Sequence, residues 1–261
     1  MIGVLGSGIG GLTVVRELMK QLPEYDLIYM GDTAHAPYSD KSPETVIRWV
    51  FQNTEFLLDK GATLLVTACN TISSIASETV SKKYDMPVLE VITPGVERSL
   101  LHSKKLMIGV IGTRTTIESG MYEKKIKQMS PNAKVYSMAC PLLAPLVEEG
   151  WIKKPVTTMI IKKYLHPLKV KQVDTLILGS THFTQIKKII QIKMGKRVNI
   201  VDASELIVAK VEGFLNENKE TEHNLGKSGR YRFFVSDLTE RVEKSAASIL
   251  KKNILLEKVG N

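Results

Sequence analysis

Cysteine is scarce in this chain of 261 residues: Cys69 and Cys140 are the only two. That number excludes a disulfide framework and leaves each thiol free for chemistry or for packing. Long hydrophobic runs are also missing. The stretch Ala62 to Ala68 falls far short of the roughly 20 residues that span a bilayer, and no basic region precedes the first apolar segment, so a cytoplasmic chain with no membrane partner is expected. Glycine and proline are too few, 28 of 261, for a fibrous or low-complexity chain. The net charge of +9 is spread through pairs such as Lys82-Lys83, Lys104-Lys105 and Lys251-Lys252. No basic run is interleaved with aromatic residues, which weighs against nucleic acid and in favour of solvated helix faces.

What is present is alternation. Ile2 to Leu5 reads as a strand, followed by the glycine turn Gly6-Ser7-Gly8-Ile9-Gly10-Gly11 and helical spacing over Leu12 to Leu22. Strand-like segments recur at Asp26 to Met30, Thr63 to Ala68, Pro87 to Val91, Met107 to Ile111, Ala133 to Tyr136, Thr175 to Leu178, Asn199 to Val201 and Arg232 to Val235. Between them lie helix-like stretches, among them Glu44 to Lys60 after Pro43, Ser73 to Lys83, Glu205 to Glu217 and Leu238 to Lys251. Such a pattern predicts an α/β fold with largely parallel sheets flanked by helices. Two strand ends resemble each other, Leu64 to Thr71 and Thr175 to His182, as do the turns after Leu5 and Ile111. The match suggests a duplication into two similar lobes, 1–93 plus 205–261 and 94–204, with the active site in the cleft between them.

Cys69 follows an apolar strand and precedes a helix start, where unsatisfied backbone amides favour an anion, so it can serve as a thiolate base; an inert buried thiol is equally compatible with its position. Cys140 has no such context and reads as structural. His182, at the other strand end, can donate or accept a proton at neutral pH, although a lone histidine is often structural. No carboxylate lies near it in sequence to orient it. The glycine turn can hold a carboxylate or phosphate on its amides but lacks the Lys-Ser/Thr ending of a P-loop, and a dinucleotide reading has only Asp32 as a partial match.

Taken together, Ile2 through Gly11, Gly31-Asp32-Thr33, Pro37-Tyr38, Lys41 to Thr45, Ala68-Cys69-Asn70-Thr71, Pro94-Gly95, Gly109 to Thr113, Ala139 to Leu142, Leu146 to Gly150 and Thr181-His182 resemble bacterial glutamate racemase, of the aspartate/glutamate racemase superfamily. The blocks occur in order along nearly the whole chain. The resemblance implies an isomerase that needs no cofactor and no metal, supplies D-glutamate for peptidoglycan, and takes a small amino acid or carboxylate as substrate, with a homodimer among the assemblies open to it. It implies catalytic roles for Cys69, Ser180 and His182. Substrate contacts are implied for Ser7, Pro37, Tyr38, Ser39, Asn70, Thr71, Thr113, Thr181 and the pair Glu148 and Glu149. Departures fall at the chemistry: Gly6 stands where the family has aspartate, Ser39 where it has glycine, Ser180 where it has the second cysteine, and Phe183-Thr184 where it has Tyr-Pro. A serine hydroxyl is a weak base unless activated. The expected function is therefore glutamate racemase-like proton transfer, weakened or altered, with one-thiol chemistry on another small carboxylate (decarboxylation, elimination or isomerisation) or ligand binding without turnover as alternatives.

Overall fold

In the computed structural model, which describes residues 1–259, the short apolar runs become strands that pair in parallel. Strands buried on both faces need near-continuous apolar sequence, and the segments supply it. The first sheet holds β1 (Ile2–Gly6), β2 (Leu27–Gly31), β3 (Leu64–Thr67) and β4 (Val88–Glu90). The second holds β5 (Met107–Gly112), β6 (Lys134–Ala139), β7 (Thr175–Gly179) and β8 (Asn199–Asp202). Two late strands, β9 (Tyr231–Val235) and β10 (Glu257–Lys258), return to the first sheet. The orders are β10-β9-β2-β1-β3-β4 and β6-β5-β7-β8, with every pairing parallel.

The chain divides into two units, Met1–Val91 with the segment from Ser204 onward, and Ile92–Ala203. In the first, Leu5, Ile28 and Leu65 of the sheet pack with Val46, Val50 and Leu57 of the helix Pro43–Asp59. In the second, Leu176 and Leu178 pack with Ile161 and Leu165 of the helix Pro155–Val170. Among the described residues, no helix is long and apolar enough to cross a membrane.

Local differences from the sequence expectation have local causes. The helix expected over Ser73 to Lys83 starts earlier and breaks in two, Asn70–Ile75 and Ser77–Lys83, at Ala76. There Ser73 and Ser77 hydroxyls each lie 2.9 Å from the Thr67 hydroxyl, and such side-chain bonds compete with regular helix. The two-residue strand β10 carries no apolar run and was not expected.

β9 pairs with β2, about 200 residues earlier in the chain, and Asp26 fastens the loop that leads into it. Its side chain is 1% exposed. One carboxylate oxygen accepts from Ser228 N, Ser228 Oγ and Arg230 N at 3.2, 2.8 and 2.9 Å, while Arg230 Nη2 reaches the other at 3.1 Å. Burial alone pushes the carboxyl upward, but these donors outweigh it and bring the pKa down to about 2. A depressed carboxyl stabilises the fold above its unfolded value and loses that contribution as pH falls through the folded one. Urea unfolding is therefore expected to show stability falling between about pH 4 and pH 2, and Asp26→Asn is expected to lose about 2 kcal/mol at pH 7 with a flatter acid limb. Equal stability of the variant at pH 7 would mean that the clamp contributes nothing.

Candidate active site

In an open parallel sheet, ligands meet the carboxyl ends of strands where the strand order reverses. From β1 the chain goes to β2 on one side and β3 on the other, so the first unit's reversal lies between β1 and β3. Ser7 follows β1 and Cys69 follows β3, and Ser7 Oγ lies 3.1 Å from Cys69 Sγ. Cys69 is half-buried and adopts extended backbone, φ −109° and ψ 127°, as the residue that opens the helix Asn70–Ile75. Its sulfur caps no amide of that helix. Asn70 and Thr71, in the first turn, are buried.

The glycine turn is shaped by Tyr29, which sequence reasoning passed over. Tyr29 and Gly31 lie on one face of β2, and Gly6 pairs with Gly31. A Cβ at Gly6 would come within 2.5 Å of the Tyr29 hydroxyl, and one at Gly31 within 2.9 Å of the ring. Glycine at both positions thus leaves a trough for the phenol, whose hydroxyl donates to Gly8 O.

A second cluster surrounds Asp32, just past β2. The sequence offered it only as a partial ribose ligand. Instead, with 1% exposure, its carboxylate accepts from Tyr38 OH at 2.5 Å, Ser236 Oγ at 2.6 Å and Asn53 Nδ2 at 3.3 Å, with His35 Nδ1 at 2.9 Å. His35 stacks on Trp49 at 4.2 Å. Burial, then the adjacent Asp32 charge, push the Tyr38 phenol far above its ordinary value. Pro37 follows a cis peptide and is exposed; Ser39 is half-buried. Because the Tyr38 side chain is buried and its hydroxyl engaged, a ligand at Pro37-Tyr38-Ser39 would meet backbone rather than the ring.

The second unit repeats the rule. From β5 the chain goes to β6 on one side and β7 on the other. Gly112 pairs with Gly179, which sets Thr113 and Ser180 at adjacent strand ends. Thr113 caps the helix Arg114–Glu118, accepting from Thr116 N. Ser180 is buried with extended backbone, caps no amide, and precedes the 3-10 turn Thr181–Ile186. In that turn Thr181 is buried, and His182 Nε2 meets Glu148 Oε1 at 3.0 Å.

Glu148 ends the helix Leu143–Glu148, and its neighbour Glu149 is exposed. This corrects the expectation that no carboxylate orients His182: the partner is distant in sequence and is brought in by packing of that helix against the turn. The pairing can hold the ring in place. Thr184 Oγ1 donates to Asp202 Oδ1 at 3.2 Å beside it. Cys140 is buried, with its thiol directed at Met138 O at 3.6 Å, and burial pushes that thiol far up, so it is packing rather than a base. Among the described residues, no group of three or more His, Cys, Asp or Glu could hold a metal ion.

A family model described as Asp/Glu/Hydantoin racemase matches residues 2–211. The glutamate racemase of Syntrophus aciditrophicus is 40% identical over 253 residues, covering 97% of this chain and 93% of its own. A glutamate racemase isoform of Bacillus anthracis has a similar structure, with a TM-score of 0.94 at 36% identity, covering 99% of this chain and 97% of that one. The structure of glutamate racemase from Francisella tularensis in complex with D-glutamate has a TM-score of 0.91 at 37% identity, with the same coverage of 99% and 97%.

Proposed function

The chain belongs to the Asp/Glu/hydantoin racemase family, and from that premise we propose that it is a glutamate racemase-like isomerase in which Cys69 moves the α-proton of glutamate. The observation that carries the reading is the Ser7 hydroxyl 3.1 Å from the Cys69 sulfur at the first sheet's order reversal. Once the sulfur is a thiolate, only the serine can donate in that contact, so Ser7 steadies the charged base. Backbone amides of the glycine turn and of the Asn70–Ile75 helix start suit a substrate carboxylate. The Francisella relative, with D-glutamate in its structure, supports the same ligand class here.

The second proton-transfer end falls to β7. His182, held by Glu148, is the protonatable group there, and Ser180 is the hydroxyl at the strand end two residues before it. Among the described residues no hydrogen bond joins Ser180 to His182, so the hydroxyl lacks the contact that would make it a base. Turnover is accordingly unequal at the two faces of the α-carbon: Cys69 exchanges its proton readily, and inversion is slow.

L- and D-glutamate incubated in deuterated water, followed by NMR and chiral separation, provide the test. Deuterium uptake at the α-carbon, faster than inversion, is the expected result. Exchange from one enantiomer with no inversion would place the enzyme among one-thiol isomerases or lyases of small carboxylates. No exchange from either enantiomer would sink the proposal.

A further inference from the structure

We infer that Tyr29, a residue that touches no substrate, positions the Cys69 thiol by clamping the glycine turn that carries Ser7. The inference rests on the reading of Cys69 as the proton-transfer group. Tyr29 is 1% exposed, in the second strand of the first sheet. Its phenol runs along the sheet toward the strand ends, over the two positions, Gly6 and Gly31, at which any side chain would collide with it. At its tip the oxygen donates to the Gly8 carbonyl. A Cβ at Gly11 would lie 3.0 Å from the same oxygen, so this part of the turn is closed around it.

A chain of three contacts follows. The phenol bonds Gly8 and packs against Gly11, these fix the path of the chain through Ser7, and Ser7 Oγ meets Cys69 Sγ at 3.1 Å. Burial, and then the charge of a Cys69 thiolate, hold the phenol neutral, so it keeps its proton for Gly8 through a catalytic cycle. Gly6 belongs to the same device, since a side chain at that position and the Tyr29 hydroxyl would occupy the same space.

Tyr29→Phe keeps the ring and removes the oxygen with its bond to Gly8. The expected results are a fold retained by circular dichroism, a kcat for α-proton exchange about tenfold lower with KM within twofold, and alkylation of Cys69 by iodoacetamide at pH 7.5 about fivefold slower. Ser7→Ala is expected to slow alkylation to the same degree, and Tyr29→Phe with Ser7→Ala no further than Ser7→Ala alone, because the two act in series. Gly6→Ala, which displaces the hydroxyl without deleting it, is expected to slow alkylation as well. The alkylation arm requires no turnover of glutamate, so it stands even if the substrate assignment fails. A lowered Tm with unchanged alkylation and kcat would overturn the inference, as would additive effects in the double variant.

Discussion

Ser180→Cys is expected to raise the rate of glutamate inversion by about 10²-fold while leaving one-face exchange near its starting rate, as read by chiral analysis alongside deuterium uptake. Racemisation through a carbanion needs an acid and a base on opposite faces of one carbon, and the two must have similar proton affinities or the slower side limits both directions. A free thiol titrates near pH 8.5, within reach of neutral conditions, whereas an alkyl hydroxyl does not. Position 180 is well suited to the exchange. The serine is buried at the end of β7, its side chain caps no amide, and replacing oxygen by sulfur there removes no capping bond. His182 and Glu148, 3.0 Å apart, are already in place two residues along and across the packed helix. If inversion in the natural chain is fast and the variant does not increase it, the hydroxyl with His182 is itself the second acid/base, and the inequality of the two faces is wrong.

Cys69→Ala is expected to remove α-proton exchange altogether, a loss of about 10³-fold or more, with little change in thermal stability. No other thiol can take over. Cys140 is buried and held protonated by its apolar surroundings, so it offers neither access nor a thiolate. The stability expectation follows from the local geometry: Cys69 opens its helix without capping it, and its sulfur has Ser7 as its hydrogen-bond partner. Mass spectrometry after alkylation gives an independent check, with a single labelled thiol in the natural chain and none in the variant. Residual exchange in Cys69→Ala at more than a few per cent would transfer the base to another group and overturn the assignment.

How much of this was legible beforehand depended on how far each feature reaches along the chain. The strand ends were legible because an apolar run ending in polar residues is a local signal: Leu64 to Thr67 leads through Ala68 to Cys69, and Thr175 to Gly179 leads to Ser180. The similarity between those two ends pointed to two similar lobes, but the strand order within each sheet was not read from it. Partnerships were not legible. Asp32 draws Asn53 from 21 residues away and Ser236 from 204, and nothing in its neighbours distinguishes a buried hub from a ribose ligand. Glu148 lay in a block tied to the site by resemblance, but its role in holding His182 appears only once the helix that bears it packs against the 3-10 turn. Tyr29 was hidden for a different reason: it looks like any apolar strand residue until Gly6 and Gly31 are seen to make room for its ring. The broken helix at Ala76 was missed because the serines that interrupt it bind a threonine on the preceding strand.

The return of the chain to its first sheet gives synthesis an order. The residues from Ile92 to Ala203 are contiguous in the chain, whereas the unit that carries Cys69 lacks a strand of its sheet until Tyr231–Val235 emerges. Until then β2, which pairs with β9 along five residues, presents a bare hydrogen-bonding edge of apolar sequence. During synthesis that edge is therefore exposed to wrong strand partners until β9 is made. The loop fastened by Asp26 is what ends that exposure.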